Sequence, residues 1–255
     1  MGALSKTNEK TYNKKYARDP VYTCSKQKEG KMAETGKISY KQIRKNEEIN
    51  LLIEKGNAVL KVLGYTDHSR KHAAKVAETA ALILKDLGYS DHQIELSRIA
   101  GYMHDIGNSI NRHDHAHSGA LLAYQILKDM DMPLEDVLTI TTAIGNHDEQ
   151  TGTAVDVVSA ALILADKTDV RRNRVQKHVI ANFDAHDRVN YAALAVNLTV
   201  KKEKKTIQMD LELDDAMCTV MDYFEIFLER MMMCRRAAEV LGCKFKLVAN
   251  GSKLC

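Results

Sequence analysis

The 255 residues carry 37 Lys/Arg against 34 Asp/Glu, with 45% hydrophobic residues, 28% charged residues and only two prolines. That is the balance of a globular chain with room for one sizeable core. No apolar run reaches the ~18 residues of a membrane-spanning helix, and "MGALSKTNEKTYNKK" has no apolar signal region, so a cytoplasmic protein without membrane partners is expected.

Residues 1–45 hold twelve Lys/Arg against four Asp/Glu, a local charge of +8 that leaves −5 for the rest. Few of them are apolar and no helical or strand period runs through them. This composition fits a solvated, disordered leader better than a nucleic-acid-binding arm. From residue 46 the pattern turns helical. "NEEINLLIEKGNAVLKVLG" sets Ile49, Leu52, Ile53, Val59, Leu60 and Leu63 at helical spacings and stops on Gly64. "DHSRKHAAKVAETAALILKDLG" repeats the scheme and stops on Gly88. Ser90 is placed to cap "DHQIELSRIAGYMHDIG", and Pro133 opens "PLEDVLTITTAIGNH". "AVDVVSAALILADKTDVRRNR" predicts one more, largely buried, helix.

The period then changes. "LAVNLTV" and "TIQMDLELD" alternate apolar and polar residues on either side of the charged turn "KKEKK", which predicts two strands. A helix is expected across 215–241, and "KFKLVANG" fits a third strand. The expected fold is mainly α. A helical bundle of residues 46–188 carries a small antiparallel α+β appendage at 189–255, and the apolar "FEIFLERMMMC" run offers a homo-oligomer contact. The five cysteines (24, 218, 234, 243 and 255) form no Cys-x-x-Cys pair and read as reduced thiols.

Within the bundle, "GYMHDIGNS" sets His104 and Asp105 side by side in an otherwise apolar helix. Neighbours on a helix point about 100° apart, so ordinary core packing cannot take both. Burying such groups costs several kcal/mol unless they are paired or hold a metal. Other polar residues interrupt helices at inward or terminal positions. They are His72 in "HAAKVAETA", His115 in "DHAHSGALLA", His147 closing "TTAIGNH", and Asp166 after "ALILA". Four imidazoles and two carboxylates make a mixed N/O site suited to iron or manganese, with zinc, nickel, magnesium or cobalt as further options. Six ligands exceed one tetrahedral ion, so two divalent ions sharing a carboxylate are expected. His117 is the rival of His115, although the spacing to Gly119 favours His115. His68 reads as a surface histidine at a helix start, and His92, His113, His178 and His186 as solvent-facing.

The set His72, His104–Asp105 and Asp166 in a helical frame resembles the HD-domain metal-dependent phosphohydrolase superfamily, over roughly residues 50–175. His115 before Gly119 and His147 in "AIGNH" resemble its two-metal subgroup, which includes dinucleoside tetraphosphatases and, more remotely, cyclic-dinucleotide phosphodiesterases. By that likeness His72, His104, Asp105 and Asp166 hold one ion, while His115 and His147 hold a second bridged by Asp105, with His104 and Asp105 as the catalytic pair. Three features depart from the pattern. Asn108 stands where many relatives have the lysine of "HDIGK", Asp148 stands where some have a second histidine, and the Gly-Tyr-Pro signature of the cyclic-di-GMP enzymes is missing.

The resemblance implies hydrolysis of a nucleotide or other small phosphate ester. "DKTDVRRNR" then offers Lys167, Arg171, Arg172 and Arg174 as phosphate contacts. Asp169 orients a ligand or pairs with Arg172. Two alternatives of other classes remain: a di-iron oxygenase of the HD type and a non-catalytic nucleotide sensor.

Overall fold

Most helix boundaries coincide with the local signals that predict them. The structure, a computed structural model, describes residues 38–177 and 182–254. Helix α1 (Tyr40–Lys45) leads into α2 (Glu47–Val62), where the Asn46 side chain accepts the Ile49 N–H. Ser69 caps α3 (Arg70–Leu87), which ends on Gly88 at φ 86°, a left-handed stop that glycine adopts without Cβ strain. Ser90 and Gln93 close a capping box on α4 (Asp91–Met103). Then come a 3₁₀ turn (Ile106–Ser109), α5 (His115–Asp129) and α6 (Leu134–Gly145). A second box, Asp156 with Ser159, starts α7 (Val157–Lys167).

α7 is the axis of the bundle. It packs against α3, α4 and α6, and residues Ala160 to Leu164 are wholly buried. A helix apolar all round is what a central position demands. The basic segment 38–45, which composition groups with the leader, includes α1 and buries Tyr40 and Ile43. Residues 1–37, where the rest of the expected leader falls, lie outside the described residues, as does His178.

Beyond α8 (Ala185–Ala192) the chain forms β1 (Ala193–Lys201) and β2 (Thr206–Leu213), paired antiparallel across the charged turn. Helix α9 (Val220–Val240) follows, then β3 (Lys244–Ala249) and the short β4 (Ser252–Lys253). The sheet order is β1-β2-β3-β4. The outer pairs are antiparallel, but β2 and β3 run parallel. Strand periodicity carries no information on that direction. The 21-residue α9 crossover sets it, returning the chain to the same end of the sheet. α9 packs on α7 on one side and on β2 and β3 on the other. Among the described residues, no helix is long and apolar enough to cross a membrane.

Candidate metal centre

Four histidines from four different places in the bundle turn their Nε2 atoms toward one carboxylate. His72 comes from the first turn of α3, His104 and Asp105 from the end of α4, His115 from the start of α5, and His147 from just beyond α6. All five are buried. Asp166, on the last turn of α7, completes the group.

Asp105 divides its two oxygens between two sets of imidazoles. Oδ2 lies 3.1 Å from His104 Nε2 and 3.8 Å from His72 Nε2. Oδ1 lies 3.6 Å from His115 Nε2 and 3.8 Å from His147 Nε2. Asp166 Oδ1 approaches His72 Nε2 at 3.4 Å and His104 Nε2 at 3.6 Å. Two triads, His72–His104–Asp166 and His104–Asp105–His147, each bring one ligand atom per residue within 4.8 Å of the others.

The far side of each ring is held by the fold. Asp169 takes the Nδ1 proton of His72 at 2.7 Å, and the carbonyls of Gly101, Arg112 and Ile144 face Nδ1 of His104, His115 and His147 at 2.9, 3.1 and 2.6 Å. That arrangement places the proton on Nδ1 and leaves the Nε2 lone pair pointing inward. His72 Nε2, His104 Nε2 and Asp105 Oδ2 are buried with no hydrogen-bond partner. Orphaned atoms of this kind cost about 1–3 kcal/mol each. Divalent cations fit them, since imidazole nitrogens and carboxylates converge at one point, and an ion would displace the proton that His104 otherwise carries.

Electrostatics agree. Burial alone would raise the Asp105 carboxyl, but the imidazoles of His104 and His147 outweigh it and hold it well below the usual range. Asp166 is likewise held down against burial, chiefly by Lys167. Burial opposes a charged His104, yet Asp105 and Asp166 push its pKa up to about 10. His115, disfavoured as a cation by burial and then by His147, falls to about 3. The field draws positive charge to the point between His104 and the two carboxylates.

Local packing fixes the position of Asp105. Asn108 Nδ2 donates to Asp105 Oδ1 at 2.8 Å and to its carbonyl at 3.1 Å, so the residue standing at the lysine position is a neutral brace. Gly107 lets the 3₁₀ turn press on α5, because a Cβ there would overlap the His115 carbonyl oxygen. His115 is buried whereas His117 is half exposed, which separates the two rivals. Asp148 Oδ2 sits 3.6 Å from His115 Nδ1, on the side of the ring away from Asp105.

The centre opens into a cleft of about 730 Å³ lined by His68, Arg112, Lys167, Arg174 and Arg230 among others. Two readings from the sequence change here. His68 is not a surface residue, since it faces the cleft with Nε2 4.0 Å from Asp105 Oδ2. His92 keeps 39% of its side chain exposed and meets Asp136 at 2.8 Å. Arg171 and Arg172 do not reach the cleft. Arg171 is clamped on Asp169 at 2.7 and 2.9 Å, while Arg172 bonds Asp214 at 3.1 Å and stacks on Tyr191. Asp169 therefore orients His72 and pairs with Arg171, not Arg172. Of the four expected phosphate contacts Lys167 and Arg174 line the cleft; Lys167 is engaged with Glu149 at 2.6 Å and Asp166 at 2.8 Å, and Arg174 with the Asp67 and Asp169 carbonyls. His113 and His186 are exposed, as read. Glu149 and Arg230 escaped the sequence reading because they lie 81 residues apart and no local pattern joins them.

The chain is similar to known proteins. Residues 70–188 match the HD domain family. The match spans all six candidate ligands of the cluster, from His72 to Asp166. An uncharacterized protein of Methanocaldococcus jannaschii is 25% identical over 202 residues, covering 70% of this chain and 77% of the relative. A solved structure from an uncultured Thermotogales bacterium, a predicted HD superfamily hydrolase, is 24% identical. It covers 49% of this chain and 67% of its own, with a TM-score of 0.39.

Proposed function

We propose that the protein is a metal-dependent phosphohydrolase acting on a nucleotide or another small phosphate ester through two divalent ions, iron or manganese in first place. One observation carries the reading. Asp105 turns one oxygen to His72 and His104 and the other to His115 and His147, the disposition of a carboxylate shared by two sites. His72, His104 and Asp166 would hold one ion, His115 and His147 the other, with Asp105 between them. Ions so placed would activate water for attack on phosphorus and offset the charge of the phosphoryl oxygens.

The chain's own groups do the rest. Asp169 and the three backbone carbonyls keep the Nε2 lone pairs aimed inward, so no imidazole has to reorient to act as a ligand. Asn108 fixes Asp105 without adding charge next to a site that must take cations. Lys167, clamped between Asp166 and Glu149, orients Asp166 and keeps it ionised. Carboxylates outnumber Lys/Arg in the cleft lining, so an anionic substrate would depend on bound ions together with arginines such as Arg112 and Arg230.

Metal analysis of the purified protein, followed by phosphate-release assays over nucleotides with Mn²⁺ or Fe²⁺ supplied, tests the reading. About two ions per chain and metal-dependent release are expected. A protein that takes up neither metal, or releases phosphate equally well without one, overturns it.

A further inference from the structure

Helix α9 lies outside the matched HD segment, yet one of its side chains enters the cleft. Its buried stripe runs Tyr223, Phe227, Cys234, Ala237, and Arg230 stands on that stripe where the period calls for an apolar residue. A charge there is costly unless it is partnered. Arg230 Nε bonds Glu149 Oε1 at 2.9 Å, and its guanidinium carbon stacks 4.5 Å over the Phe227 ring. Among the described residues its two Nη atoms have no hydrogen-bond partner, and the residue lines the cleft. A chain of contacts runs from it through Glu149 and Lys167 to Asp166, beside the metal cluster.

The other cations of the cleft are committed in full or in part. Lys167 sits between two carboxylates. Arg174 is buried, with Nε on the Asp67 carbonyl at 3.0 Å and Nη1 on the Asp169 carbonyl at 2.7 Å. Arg112 leans on His115 Nε2 at 3.3 Å and stacks on Tyr65. Among the described residues of the cleft, Arg230 is the arginine with both Nη atoms unpartnered, whereas Arg112 and Arg174 each have one Nη engaged. Its planar fork, held by Glu149, suits a phosphate oxygen pair.

We infer that Arg230 is the substrate-anion residue of this site: held by Glu149 and Phe227, it presents its Nη donors to a phosphate oxygen of the ester, so the C-terminal helix completes a centre otherwise built by the bundle. The inference rests on the phosphohydrolase reading for its substrate. The purely structural alternative is an Arg–Glu pair that only ties α9 to the bundle.

The test uses the full-length protein. Inorganic phosphate binding is read by calorimetry on the protein as purified, which needs no turnover, and KM and kcat are read on the phosphate ester that the metal-loaded protein hydrolyses. Arg230→Met should weaken phosphate binding about ten- to a hundredfold and raise KM by a similar factor, the scale of one charge-assisted hydrogen bond. Metal content should stay unchanged. Arg230→Lys, which keeps the charge and the room beside Glu149, should restore part of both and guards against a misfolded Met variant. Arg112→Met should move phosphate binding less than Arg230→Met. Phosphate binding unchanged in both Arg230 variants, no binding by the parent protein, or a larger loss in Arg112→Met each overturns the inference. An absence of metal-dependent phosphate release by the parent protein would instead count against the hydrolase reading, leaving the calorimetric result to judge Arg230.

Discussion

Among the described residues, the buried polar groups around the C-terminal sheet are closed off by the chain itself, whereas a few in the bundle are not. Asn190 gives its amide to the His186 carbonyl at 2.8 Å, and Thr206 its hydroxyl to the Lys204 carbonyl at 3.0 Å. Among the described residues, Glu149 Oε2 and Arg98 Nε lack a hydrogen bond but are ion-paired with Lys167 and Glu78, while Tyr40 Oη, His72 Nε2, His104 Nε2 and Asp105 Oδ2 are buried without a hydrogen bond, all in the helical part. The last three meet at the centre of the His/Asp cluster. A region that only has to be stable satisfies its own polar groups, while a region that has to bind keeps some aimed at what it binds.

The sharpest way to break that contrast is to remove the central pair. His104→Ala and Asp105→Ala should each strip nearly all bound metal, read by elemental analysis, while circular dichroism retains the helical signal. Full metal retention in both variants would end the metal reading. Deletions of apolar bulk should treat the two regions alike. Ile163→Ala in α7 and Leu247→Ala in β3, both essentially fully buried, should each cost about 2–5 kcal/mol in urea unfolding, since both remove core contacts. If the sheet variant unfolded in a separate transition, the two regions would be less joined than the packing of α9 on α7 implies.

Next in size is the support behind one ligand. Asp169→Asn removes the carboxylate that holds His72 Nδ1 and should weaken metal binding about ten- to a hundredfold. Arg171→Ala and Arg172→Ala should leave KM for a phosphate ester unchanged, because neither side chain faces the cleft. A rise in KM for either would return the phosphate contact to that segment.

The smallest effect belongs to the sheet side. Asp222, the exposed capping-box partner of Thr219 on α9, has its carboxyl lowered by hydrogen bonds from the Thr219 backbone and side chain. A depressed folded pKa gives stability that is present above the ordinary value near 3.8 and is lost as the pH falls through the lower, folded value. The melting temperature of Asp222→Asn should therefore trail the parent at neutral pH and converge with it in acid. A constant gap would mean that the cap acts without its charge.

Helices, caps and stops were legible because each is set within a turn or two of chain. Ser90 caps α4 in the structure as its place in the sequence predicts, and α7 reads as buried from its composition alone. The candidates His72, His104, Asp105, His115, His147 and Asp166 stood out for a related reason, as ionisable groups in apolar surroundings that local packing cannot explain.

Local patterning thus specifies the mainly helical frame, the strand alternation of the tail and a set of polar interruptions in need of a partner. Long-range packing sets which groups meet. It turned His68 inward, took Arg171 and Arg172 away from the cleft, and ran β2 parallel to β3. It also brought Arg230 from α9 to Glu149, far away in the chain. Helical period and capping depend on neighbours three or four residues apart, so the chain states them directly. The direction in which a long arginine or a helix-start histidine points depends on elements up to a hundred residues away, and only their packing fixes it.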